Sequence, residues 1–235
     1  MNILKLPHRL TSQLLDFIYP PVCIACNKPL PDNELKVCTE CWNKIPQVTK
    51  QLPIYQEART KLITEGCIND LISCFIFEKE GPFQHIVHAL KYKEYKSVGI
   101  ELGKRVGALI KILDIETDII IPVPLHRIKH RERGYNQSEL IARGISSVLG
   151  KPVITNAVYR ARNTQTQTQL TIEERQKNME DAFKTFDNAS KILTGKSCLL
   201  VDDVITTGAT TISCAKEIIS AGATTIISAS AALAQ

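Results

Sequence analysis

The stretch that most constrains this chain is Cys198-Leu199-Leu200-Val201, then Asp202-Asp203, then Thr206-Thr207-Gly208-Ala209-Thr210. An apolar run without polar alternation reads as a strand buried on both faces, the kind that belongs to a parallel sheet. The acidic pair closes that strand, and threonine and glycine open the helix that follows. A helix N-terminus presents unpaired amides and the positive end of a dipole, and Gly208 allows close backbone approach. Three threonine hydroxyls add donors, so the turn suits a phosphate monoester. Adjacent carboxylates can accept hydrogen bonds from vicinal sugar hydroxyls and help hold hydrated Mg²⁺, which prefers oxygen ligands. Taken singly, each part also has a plain reading as a strand end or a helix cap. The loop itself lacks the Gly-Lys-Ser/Thr of a Walker A turn.

The surrounding sequence alternates strand and helix patterns from about residue 68 onward. Strands are expected at 71–77, 118–122, 152–158, 197–201 and 224–230. Helices are expected near 82–92, 97–113, 135–149, 172–182 and 209–221, the last ended by Gly222 in the left-handed conformation. This alternation predicts an α/β domain with a mainly parallel sheet and its ligands at the carboxyl ends of the strands. Before it, Leu10, Leu14 and Phe17 or Ile18 fall at helical spacing and Pro20-Pro21 stops the pattern. The division expected is 1–45 for an N-terminal helix and cysteine module, 46–67 for a polar linker with Pro46 and Pro53, and 68–235 for the α/β domain.

Cys23-x2-Cys26-x11-Cys38-x2-Cys41 places four thiols in two knuckles, the spacing of a tetrahedral zinc ribbon. Four thiolates leave no open position for water, so zinc here is expected to be structural. Buried free cysteines or a redox pair are the competing readings. Cys67, Cys74, Cys198 and Cys214 lack ligand spacing and are expected in the core. No apolar h-region follows the N-terminal Lys5, His8 and Arg9, so export is not indicated, and no stretch is apolar enough to span a membrane.

The formal charge of +5 is too small to imply nucleic-acid binding by itself, but it is unevenly placed. His126 to Arg133 holds Arg127, Lys129, Arg131 and Arg133 against Glu132 alone. Following Pro122-Val123-Pro124-Leu125 at a strand end, this segment is placed to cradle a diphosphate. A merely solvated basic loop is the alternative. Arg160 to Thr171 is polar and unpatterned, which fits either a functional loop or disorder.

Together these motifs resemble the ComF family. They are the four-cysteine ribbon, Ala89-Leu90-Lys91-Tyr92, Pro122-Val123-Pro124-Leu125, Arg133-Gly134-Tyr135-Asn136-Gln137-Ser138, Arg175-x2-Asn178-x3-Ala182-Phe183, and Val201 to Thr210. The resemblance implies a type I phosphoribosyltransferase fold behind the ribbon, in a cytoplasmic protein serving DNA uptake in natural transformation. It implies phosphoribosyl pyrophosphate with Mg²⁺ as ligand. Asp202 and Asp203 would hold the ribose hydroxyls and act in catalysis. Thr206, Thr207, Gly208, Ala209 and Thr210 would hold the 5-phosphate, and Leu125, His126 and Arg127 the pyrophosphate. Lys91 would lie in a hood over the site, and the Thr/Gln-rich segment could be the loop that closes on substrate. The acceptor is not specified. A transferase, a non-catalytic sensor of the same ligand, and an adaptor holding single-stranded DNA or other competence proteins all remain open.

Overall fold

The apolar runs assemble into one parallel sheet. The computed structural model describes residues 20–31, 34–93, 95–161 and 182–234. The expected N-terminal helix, the helix near 172–182, Arg175 and Asn178, and most of the Thr/Gln-rich segment lie outside them. The elements in chain order are α1 (Thr39–Lys44), α2 (Pro53–Thr64), β1 (Asp70–Phe77), α3 (Pro82–Tyr92), α4 (Lys96–Ile112), β2 (Ile119–Pro122) and α5 (Arg127–Arg133). Then come α6 (Gln137–Leu149), β3 (Val158–Arg160), β4 (Phe183–Thr185), α7 (Ala189–Leu193), β5 (Ser197–Ile205), α8 (Ala209–Ser220) and β6 (Thr225–Ala234).

The strand order is β1-β6-β5-β2, all parallel. Every carboxyl end therefore points to one edge, and the acidic pair lies on β5, an inner strand. Successive residues alternate between two cores, as the pleat demands. Ile120, Leu199 and Val201 pack with α3, α4 and α6, whereas Ile119, Ile121, Cys198 and Leu200 pack with α2, α7 and α8.

Helices α4 and α6 cross almost backbone to backbone. A Cβ on Gly103 would lie 2.0 Å from the Ile141 carbonyl oxygen, and one on Gly144 would lie 2.3 Å from that of Ile100. This crossing seats the first turn of α6 against the sheet, a position that matters for the site.

The stretch 46–67 was expected to be a linker but folds. Ile76 N–H donates to the Pro46 carbonyl and Val48 N–H to that of Cys74, so the chain first runs along the outer edge of β1. Pro53 then starts α2 rather than breaking a helix, because the first helical turn needs no amide at that position. Only Tyr55 and Leu62 of α2 are buried, too sparse a stripe to stand out in a polar sequence. The strand expected at 152–158 also divides. Val153 pairs with Ile120 on the outer side of β2, and β3 pairs instead with β4, antiparallel. The basic segment is helical over Arg127–Arg133 rather than a loop.

The cysteine module shares the main core. Trp42 stacks on Phe75 of β1 with ring centroids 5.7 Å apart, and Phe75 meets Phe83 of α3 at 5.3 Å. Arg105 of α4 lies over the Trp42 ring at 3.9 Å.

Replacing Gly103 or Gly144 by alanine is expected to cost about 3 kcal/mol of unfolding free energy, the upper end for overpacking a core. Urea denaturation measures this, and a loss within about 0.5 kcal/mol, typical of surface changes, would contradict the close crossing.

Candidate functional site

Asp202 and Asp203 sit side by side near the carboxyl end of β5, and their side chains have different partners. Asp202 Oδ1 accepts from the Ser138 hydroxyl at 2.9 Å and from the Asp203 amide at 2.8 Å. Asp203 Oδ2 pairs with Lys91 Nζ at 2.6 Å, and its Oδ1 accepts from the Val204 amide at 2.7 Å. Burial, then the neighbouring Asp203 carboxylate, pushes the Asp202 carboxyl up to about 7, against the pull of its two hydrogen bonds and of Lys91. Asp202 is thus held toward its protonated form near neutral pH.

The Arg133 to Ser138 motif is mostly scaffold for this pair. Gly134 ends α5 with φ of 74°, a conformation that glycine adopts without strain. Tyr135 donates its hydroxyl to the Leu90 carbonyl, next to Lys91, and so ties α3 to the start of α6. Asn136 donates to the Val123 carbonyl at 2.9 Å and caps α6 by accepting from the Ser138 amide at 3.1 Å. Ser138 then faces Asp202. Nothing local in the sequence announces these contacts, because each joins segments far apart in the chain.

Past the acids, Thr206 and Thr207 are exposed and Gly208 adopts φ of 76° at the start of α8. The turn wraps a small hollow of about 40 Å³ bounded by Asp202 and by residues 204–211. The five residues expected to hold a phosphate are therefore brought together at a twelve-residue helix's N-terminus, beside the acidic pair.

Leu125, His126 and Arg127 occupy the turn from β2 into α5. His126 Nδ1 accepts from the Ile128 amide and caps the helix, so that nitrogen is committed. Burial, then Arg160, Arg127 and Lys129, hold His126 below the usual histidine range. Lys129 is likewise pushed down by burial and by Arg133, Arg160 and Lys91. These cations converge. A hollow of about 340 Å³ lies between Lys91 and Tyr92 of α3 and Lys129, Glu132, Arg133 and Tyr135. Arg160, read in the sequence only as the start of a polar loop, is half-buried beside the Phe183 ring and interacts electrostatically with Asp202.

The four knuckle cysteines come together with all sulfurs within 4.8 Å of one another. Tetrahedral zinc with Zn–S bonds of about 2.3 Å separates sulfurs by about 3.8 Å, and Cys26 and Cys38 lie 3.8 Å apart. The donor set fits. Burial raises Cys23, but amide donors from Cys38, Ala25 and Cys26 outweigh it and lower that thiol to about 7. Burial and the neighbouring sulfurs push Cys41 up, as expected where thiolates crowd without a counter-charge. Among the described residues no other group of three or more metal-binding side chains forms. Cys74 and Cys198 are buried core thiols pushed up to about 12, and Cys214 is buried too.

Residues 133–234 match the phosphoribosyl transferase domain, and residues 14–52 match the double zinc ribbon domain. DNA utilization protein YhgH of Salmonella typhimurium is 26% identical over 204 residues, covering 81% of this chain and 87% of that protein. Competence protein ComFC of Bacillus subtilis is 24% identical over 190 residues, covering 80% and 68%. Along most of its length the chain is thus similar to these competence and DNA utilization proteins, in line with the resemblance to the ComF family. Competence protein F of Haemophilus influenzae is 39% identical over a shorter span of 93 residues, 40% of each chain. Among solved structures, a glutamine phosphoribosylpyrophosphate amidotransferase from B. subtilis superposes with a TM-score of 0.43 at 19% identity. That superposition covers 61% of this chain and 30% of the other. The architecture is thus a zinc ribbon packed on a phosphoribosyltransferase-type domain, and no helix among the described residues is long and apolar enough to cross a membrane.

Two outcomes follow from this site. Ser138→Ala removes a donor to the charged form of Asp202, so the Asp202 pKa is expected to rise further above about 7 in a carboxyl carbon NMR titration. An unchanged titration would show that Ser138 does not hold Asp202. Stripping zinc with a chelator is expected to lower the melting temperature of the whole chain in one transition, because Trp42 belongs to the main core. A separate, earlier melting step would contradict that shared core.

Proposed function

We propose that this protein binds phosphoribosyl pyrophosphate together with Mg²⁺ at the carboxyl end of β5. The observation that carries this reading is the juxtaposition on one sheet edge of the Asp202-Asp203 pair, the Thr206–Thr210 turn at the start of α8 and the cations of α5. Each matches one part of that ligand. The threonine turn supplies amides and hydroxyls for a 5-phosphate, and the carboxylates accept from the two ribose hydroxyls. The Leu125–Arg127 turn and the hollow by Lys129 and Arg133 suit the pyrophosphate. Mg²⁺, when bound, would neutralise diphosphate charge, with Asp202 and Asp203 as the carboxylates nearest to assist it.

A transferase built on this site would break the bond between the anomeric carbon and the pyrophosphate oxygen. Pyrophosphate would take the electron pair, and an acceptor would close the new bond. The chain's own contribution would be positioning and charge: Lys91 restrains Asp203, and Ser138 orients Asp202. The names of the relatives, DNA utilization protein and competence protein, support a role in handling DNA taken up during natural transformation.

Calorimetric titration of phosphoribosyl pyrophosphate with and without Mg²⁺ tests the reading. Binding is expected to need Mg²⁺ and to weaken at least tenfold in Asp203→Asn. Absence of binding to wild type overturns it. Asp202 takes up a proton as pH falls through about 7, and only its charged form serves the metal and the hydroxyls. Affinity is therefore expected to fall about tenfold per pH unit below 7, the slope of one proton. That slope should vanish in Asp202→Asn. Pyrophosphate release in the presence of an acceptor separates a transferase from a protein that only senses the ligand.

A further inference from the structure

A second cavity lies on the other side of the β2–α5 turn, toward the sheet edge where Val153 pairs with Ile120. It has a volume of about 540 Å³, larger than the hollow beside Lys91. One wall is aromatic. Tyr159 of β3 and Phe186, just past β4, pack at 4.9 Å between centroids, yet remain 38% and 42% exposed. Packed side by side and open, the two rings present an apolar platform inside the cavity. The same cavity is also lined by Arg127 and His130, both exposed on α5, and by Arg160. Glu139, the carboxylate of this cavity, is already neutralised by Arg143 at 2.7 Å.

We infer that this cavity binds a nucleotide unit, its base stacked on Tyr159 and Phe186 and its phosphate drawn to Arg127 and His130. One cavity lined both by two open rings and by an exposed guanidinium selects for one molecule that is both planar and anionic. Inorganic phosphate has no plane, and an apolar ligand makes no use of the Arg127 charge. A single aromatic stack is sequence-tolerant, because every base has a π-face. The same unit can come from a free nucleotide or from a residue within a single strand. The cavity shares Arg127 with the site proposed for phosphoribosyl pyrophosphate but neither ring, so the inference does not require that ligand to bind and is tested through the rings.

Equilibrium binding of thymidine monophosphate, of a five-residue oligothymidylate and of an abasic strand of equal length tests this on wild type, Tyr159→Ala, Phe186→Ala and Tyr159→Phe. Both alanine variants are half-exposed truncations, and retained phosphoribosyl pyrophosphate binding and melting temperature report that they fold. The monophosphate and the oligothymidylate are expected to bind wild type and to lose about tenfold or more in either alanine variant, the size of one base stack. Tyr159→Phe keeps the ring and should bind within about twofold of wild type. Binding of monophosphate alone at comparable strength points to free nucleotides, and a strong preference for the oligothymidylate over the monophosphate points to a strand; both support the cavity. The inference is overturned if the abasic strand binds as well as the oligothymidylate, or if removing either ring changes nothing. Nucleotide binding without phosphoribosyl pyrophosphate binding would sink the donor reading and leave this one standing, and the reverse result would do the opposite.

Discussion

Two carboxylates side by side near the end of a strand in a desolvated sheet repel each other, and much of the architecture around them answers that repulsion. Lys91 compensates Asp203, while Ser138 and the Asp203 amide compensate Asp202. The compensation is incomplete, since Asp202 remains pushed up to about 7. A carboxyl raised in this way by burial and a like charge is what the proposed site would offer to a cation and to sugar hydroxyls.

The partners reach the pair by independent routes. Ser138 is set by the cap that Asn136 provides and by the glycine crossing of α4 and α6, which lets the helix approach the sheet. Lys91 is carried by α3, whose N-terminal Phe83 packs on Phe75 and through it on Trp42 of the ribbon. Tyr135 joins the two routes by bonding to the Leu90 carbonyl. The ribbon is thus continuous in packing with the helix that holds Lys91, which gives a structural zinc a physical path to the site without contributing a ligand to it.

Much of this was legible in the sequence. The parallel strands, the long helices, the threonine turn that opens α8 and the four-cysteine spacing all announce themselves through local pattern. What was not legible depends on contacts between distant segments or on patterns too sparse to rise above the background. Pro53 looked like a breaker and is a helix start, because α2 buries only Tyr55 and Leu62. The basic segment looked like a loop and is helical, since neither the His126 cap nor the Gly134 terminator stands out among charges. Ser138 and Lys91 belong to the acidic pair through tertiary packing alone. The same is true of Tyr159 and Phe186, which an aromatic content of 6% gave no reason to pair.

Thermal unfolding of Asp202→Asn at pH 8, with and without phosphoribosyl pyrophosphate and Mg²⁺, bears most directly on whether the acidic pair exists for a ligand. A carboxyl whose pKa is raised in the folded state loses stability as pH climbs from the ordinary carboxylate range through about 7, so its charge is a full penalty at pH 8. The amide keeps the oxygen that accepts from Ser138 and removes that charge. The variant is therefore expected to melt higher than wild type without ligand and to lose the upward shift that the ligand and Mg²⁺ give wild type. A variant that melts lower, or that keeps the full ligand-induced shift, would contradict the account.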